Sequence, residues 1–359
     1  MDIFMYWLST LYMLGSRKQN LILDYFGDPR KAFEASADSL RSIPGMTENN
    51  IRIIEKNRDP ALIQYGMEML KQMNISFTYR GHKDYPRPLT DIPDAPVGLF
   101  YLGSLPGNAL PRVAIIGSRR CSEYGLSIAR KLGSTLSRRG VVIVSGMARG
   151  IDSMAHRGAL EAEGYTIAVL GCSVDVCYPP ENRALRDEIA RSGCVISEYP
   201  PGVQPRASFF PARNRIISGL CQVLVVVEAG KKSGTLITVD QALEQGRDVM
   251  AVPGNITNKY SDGTNRLIKQ GAEPLLDPED VLHMLGLEVA SDKKVKKEKI
   301  PNLASEEKLV YDVLASCPVT LDEIIIKTNS QAQTAQYILT MLELKGYVKK
   351  LPGMRYIRT

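Results

Sequence analysis

Between residues 112 and 252, apolar runs of strand length alternate with helical stretches, and few folds accept that pattern. The runs are Val113–Ile116, Val141–Val144, Thr166–Leu170, Cys194–Ser197, Val223–Glu228 and Asp248–Val252. Continuous Val/Ile runs indicate strands buried on both faces, and helices between them indicate crossovers, so this is a parallel sheet covered on both sides. After the first run, Glu123–Arg139 places Leu126, Ala129, Leu132 and Leu136 on one helical face. The fold class expected is a Rossmann-like, doubly wound α/β domain, whose ligands bind beyond the C-terminal ends of the strands.

The flanking segments differ in character. Residues 1–75 have helical spacing, with Leu8, Leu11, Tyr12 and Leu14 as one apolar stripe and Leu62, Tyr65, Met69 and Leu70 as another. Between the stripes, Leu40-Arg41-Ser42-Ile43-Pro44-Gly45-Met46 joins two helices. Such a unit packs helices together or, in helix-hairpin-helix modules, offers amides to DNA phosphates. Residues 76–110 carry Pro86, Pro88, Pro93 and Pro96 between short extended pieces, with Val97–Leu102 a candidate strand, and form a lead-in to an α/β domain spanning 76–290. A lysine-rich linker at 291–303 follows. Residues 304–359 read as three helices and a hairpin around Pro352-Gly353, a winged-helix pattern that serves duplex DNA or protein partners.

Six cysteines without a CxxC pair and three histidines exclude zinc-ligand spacing and suit a reduced, cytoplasmic protein. No apolar run approaches bilayer length, and Asp2 with no basic stretch before the first apolar residues makes a poor signal peptide. The formal charge of +6 is unevenly spread: from Pro111 to Gly150, eight arginines and lysines face one acid, Glu123. That asymmetry suits a polyanion, and a solvated basic face is the plainer alternative.

Four glycine-rich or basic loops fall at strand ends. Gly117-Ser118-Arg119-Arg120 links a strand to a helix start, a geometry that favours an anion. Arg119 stands where a dinucleotide fingerprint needs its second glycine, which disfavours a cofactor laid on the loop. Ser145-Gly146-Met147-Ala148-Arg149-Gly150-Ile151-Asp152 is a second such turn. There a tight turn capped by Asp152 explains the glycines but leaves Arg149 over. In the third, Phe209 and Phe210 precede Arg213-Asn214-Arg215, combining a stacking surface with guanidinium groups. Packed rings and salt-bridged arginines are the structural alternative. The fourth, Lys231-Lys232-Ser233-Gly234-Thr235, is a further anion cradle without the Walker A spacing, so nucleotide hydrolysis is not indicated. His156 suits a packing or helix-surface role, Asp175 a loop tie, and Glu198 the orientation of an arginine. No nucleophile stands out. The pattern favours binding over turnover, with no cofactor or metal.

Six motifs in order make the chain resemble the DNA-processing protein A (DprA/Smf) family of bacteria, from about Ile75 to Ala272. They are Gly117–Gly125, Ser145–Asp152, Tyr178-Pro-Pro-Glu-Asn182, Phe210–Gly219, Ser233–Thr238 and Gly263–Ile268. Ser173 departs from the family's usual glycine. The resemblance implies a single-stranded DNA-binding protein of natural transformation that protects incoming strands, dimerises through its Rossmann-like domain and loads the RecA recombinase. It also implies a SAM-like N-terminal domain. Arg119 matches the family arginine that holds the strand; Ser118, Arg213, Asn214 and Lys231–Thr235 match its pocket. Two other readings remain. One is a Rossmann-like nucleotide phosphoribohydrolase, which would need an acid where Leu236-Ile237-Thr238 stand. The other is a winged-helix transcription regulator.

Overall fold

In the computed structural model, which describes residues 2–287, 303–314, 319–351 and 353–358, the expected apolar runs become the core of a nine-stranded sheet. Its strands are β1 (Ser76–Tyr79), β2 (Gly98–Gly103), β3 (Arg112–Ile116), β4 (Val142–Ser145), β5 (Thr166–Val169), β6 (Cys194–Ser197), β7 (Val223–Val226), β8 (Asp248–Ala251) and β9 (Glu273–Pro274). They lie in the order β1-β2-β6-β5-β4-β3-β7-β8-β9. Neighbours from β6 across to β9 run parallel, while β2 pairs antiparallel with both β1 and β6. Every residue of β3 through β7 is buried, as strands covered on both faces require. The chain enters at β3, steps outward through β4 to β6, then crosses back to β7. The reversal between β3 and β7 opens a crevice beyond their C-terminal ends, the usual ligand position in such sheets.

Two helices, Glu123–Arg138 and Ile151–Glu161, cover one side of β3 and β4 and approach backbone to backbone. A Cβ on Gly158 would collide with the carbonyl oxygen of Arg130, and one on Gly133 with that of Ala155. His156 sits on this helix fully buried, its Nδ1 2.7 Å from Thr166 Oγ1, as a packing residue.

The N-terminal helices share a core with the sheet: Trp7, Leu8, Leu11 and Leu14 join Phe77 and Phe100 in one cluster. The second expected stripe is corrected. Helix Pro60–Gln72 turns Ile63 and Leu70 inward, with Gly66 against Tyr6, so Leu62 and Tyr65 fall off that face and are exposed. At the Pro-Gly turn, the Thr47 amide donates to Asn50 Oδ1, and Arg41 is held by Asp38 and Glu48. The turn packs helices, with Ile43 buried beneath it.

Residues 1–288 form one compact unit and 289–359 a second. The second unit has helices Ser305–Val313, Leu321–Thr328 and Ala332–Leu344 with a three-stranded sheet of β10 (Val319–Thr320), β11 (Val348–Leu351) and β12 (Arg355–Arg358), a winged helix. Apart from Leu303, the lysine-rich stretch lies outside the described residues. Among the described residues no helix is long and apolar enough to cross a membrane.

Two outcomes test this packing. Helix propensity alone would make Gly158→Ala more stable by about 1 kcal/mol, whereas the collision should cost about 1–3 kcal/mol in urea unfolding. Burial pushes the His156 imidazole down to about 3, against an ordinary value of 6.5. Its contribution to stability is therefore complete above the ordinary value and lost as pH falls toward the folded one. His156→Gln should flatten the pH dependence of unfolding within that window.

Candidate nucleic-acid interface

The crevice at the β3/β7 reversal holds a cleft of about 750 Å³. Of the residues singled out in the sequence, Gly117, Ser118, Arg119, Arg120, Phe210, Arg213, Asn214, Ser233, Gly234 and Thr235 line it together. Arg149 lines a smaller chamber beside it, shared with Arg119, Tyr178 and Phe210. Lys231 and Lys232 are exposed on the loop leading to the cleft but are not part of its wall. Arg215 lies elsewhere: it is buried and bound to Glu198 at 2.6 Å, so it cannot reach a ligand.

Two of the strand-to-helix turns turn out to be filled by the protein itself. Glu228, buried just past β7, accepts from the Ser122 amide at 2.8 Å and from Ser122 Oγ at 2.5 Å. Its carboxylate sits at the start of helix Glu123–Arg138, where a helix end favours negative charge. In the second turn Asp152 Oδ2 accepts from the amides of Gly146 (3.2 Å) and Ala148 (3.4 Å). Burial pushes the Asp152 carboxyl up, while the charge of Arg213 and the two amides pull it back. At the Gly117 turn Glu228 thus occupies the start of the following helix through the Ser122 amide, and at the second turn Asp152 holds two loop amides. Helices Phe209–Gly219 and Thr235–Glu244 also begin at the cleft, and neither has an acid in its first turn.

Arg213 is built into the wall. Its Nη1 donates to the carbonyl of Gly146 at 2.8 Å and also to that of Val169, which ties the ends of β4 and β5 to helix Phe209–Gly219. Burial lowers its guanidinium to about 10, so it stays charged at neutral pH and contributes field to the cleft. The loop with Ser173, the departure from the family pattern, is tied similarly. Asp175 accepts from Ser173 Oγ and from the Gly202 amide at 3.2 Å.

What remains available is a set of exposed cations and rings. Arg119 and Arg120 are exposed, and no carboxylate among the described residues lies within ion-pair distance of either. The Arg119 guanidinium lies over the Phe210 ring, 5.3 Å from its centroid. Phe210 is in turn 5.3 Å from the Tyr178 ring, whose face is partly open to solvent. Arg206, also on the cleft wall, stacks on Phe209. Sequence reasoning did not assign Tyr178 or Arg206 to the site. Tyr178 was visible only as a motif residue, and Arg206 lay in a proline-flanked loop with no periodic signal.

Guanidinium groups with no acidic partner among the described residues, beside stackable rings, form an arrangement suited to phosphates and bases. Comparison with known proteins agrees with this chemistry. Residues 76–286 match the family model for DNA recombination-mediator protein A, and residues 294–354 match the DprA winged helix domain. DNA processing protein DprA of Streptococcus pneumoniae is 50% identical over 198 residues, covering 55% of this chain and 70% of that one. Protein Smf of Synechocystis is 34% identical over 391 residues, covering 98% of both. The solved structure of the pneumococcal protein aligns with TM-score 0.69 at 37% identity, over 79% of this chain and 98% of that one. That of DNA processing protein A from Helicobacter pylori, described for its single-stranded DNA binding mode, aligns with TM-score 0.52 at 30% identity, over 59% and 95%. With its α/β domain matched across 211 residues and a relative aligned along nearly its whole length, this chain belongs to the DNA recombination-mediator protein A family.

Proposed function

We propose that this chain binds single-stranded DNA in the cleft and delivers it to the RecA recombinase, acting in the cytoplasm as a homodimer joined through its α/β unit. The observation that carries the reading is Arg119, exposed, without an acidic partner among the described residues and laid on the Phe210 ring. A phosphate can take the outer side of that guanidinium while an unstacked base meets Tyr178 or Phe210. A duplex keeps its bases stacked and offers no face to those rings. The single-stranded DNA binding mode described for the Helicobacter pylori relative supports the same assignment. No step of bond making is involved, and the residues act by charge, stacking and shape.

The test is a salt titration with oligo-dT and with duplex of equal length, alongside sizing of the protein. Arg119→Ala should weaken oligo-dT binding by about 1.5–3 kcal/mol, the value of a hydrogen bond to a charged group. It should also make the salt slope shallower by about 0.7. Normal binding by this variant at moderate salt would place the site elsewhere. Arg215→Ala should separate from it, because breaking a buried pair costs about 3–5 kcal/mol of stability and its side chain does not face the strand. Tyr178→Ala should lose about 1–3 kcal/mol of binding with an unchanged unfolding midpoint. For delivery, the protein should speed RecA filament assembly on strands precoated with single-strand-binding protein. A chain ending before Lys293 should keep strand binding, whereas a winged-helix regulator would lose all DNA binding.

A further inference from the structure

One cation beside the cleft differs from the others. Arg119, Arg120, Arg206, Lys231 and Lys232 have no carboxylate at ion-pair distance among the described residues, but Arg149 Nε is bound to Glu181 Oε1. The contact is a constructed one. Asn182, the next residue, is buried and donates to the Met147 carbonyl at 2.8 Å and to Ser153 Oγ at 2.9 Å, so the 178–182 segment is pinned to the 146–150 loop. That loop in turn presses on the Arg119 turn: a Cβ on Gly150 would lie 2.6 Å from the Ser118 carbonyl oxygen and 2.9 Å from that of Arg119. Arg149 is therefore one loop away from Arg119, and both line the small chamber with Tyr178 and Phe210.

The pair is held in place yet open to water, with side chains 64% and 49% exposed. An ion pair that exposed is weak. A phosphate arriving at the chamber can replace the Glu181 carboxylate on Arg149, while an anion too short to reach it meets a cation already neutralised.

We propose that Glu181 tunes the cleft's response to strand length, occupying Arg149 in the unbound protein and yielding it to a strand long enough to bring a further phosphate there. This rests on the single-strand reading above. The role belongs to Glu181 acting through Arg149, and neither group reacts.

The experiment uses the full chain with oligo-dT of about 6 and about 20 nucleotides, lengths that bracket the span of a single-strand site. Glu181→Gln should tighten binding of the long strand by about 2- to 5-fold, because the strand no longer has to displace an exposed ion pair to reach Arg149. It should leave binding of the short strand, which does not reach Arg149, and the unfolding midpoint nearly unchanged. In an Arg149→Ala background the same substitution should have no effect on either strand. An equal gain in that background would mean general repulsion by a nearby acid, and no gain with Arg149 present would mean the pair is structural; either result overturns the proposal. If wild-type protein binds neither strand, or Arg119→Ala binds both normally, the single-strand reading itself fails and this inference falls with it.

Discussion

Arg213 donates from the interior of the α/β unit to the carbonyls of Gly146 and Val169, fastening the ends of two neighbouring strands to the helix that carries it. Two of the four basic loops are joined through this one group, since Gly146 is squeezed between its side chain and that of Asp152. A buried guanidinium is stable only where carbonyls and nearby negative charge replace its water. The requirement fixes loop geometry more tightly than surface hydrogen bonds could. Phe210, three residues earlier on the same helix, inherits that precision, and Arg119 lies on Phe210.

Charges around the cleft thus divide by duty. Glu228 and Asp152 meet the needs of a helix start and a loop, Arg213 and Arg215 are internal ties, and Arg119, Arg120 and Arg206 face outward. Because the inner carboxylates are already committed, the outward cations are what an approaching polyanion meets. On the proposed reading, affinity and stability rest on different residues, even though all sit within a few neighbouring loops.

Periodicity made the strands legible, because every residue of β3 to β7 is buried and so reads as an unbroken apolar run. The four loops were legible because glycine and arginine have few other reasons to cluster at strand ends. What sequence could not separate was the fate of each arginine. Arg213, Arg215 and Arg119 look alike as letters, and only the position of Glu198 or of two carbonyls decides which is buried. The stripe at Leu62 and Tyr65 misled for a related reason: helix Pro60–Gln72 is apolar on more than one side, and the core takes only the face with Ile63 and Leu70. β1 was hidden because an edge strand buried only at its two central residues gives no unbroken apolar run.

The stacking of Arg119 on Phe210 has a thermodynamic consequence. A free arginine side chain on a surface gives up about 2 kcal/mol of rotamer freedom when it is fixed. Here the ring has already narrowed that freedom before any ligand arrives. Association at this point should therefore lose less entropy than at an unsupported arginine such as Arg120. In calorimetry, removing the ring while keeping the guanidinium would appear as a more unfavourable binding entropy, with the charge count, and hence the salt response, left as it was.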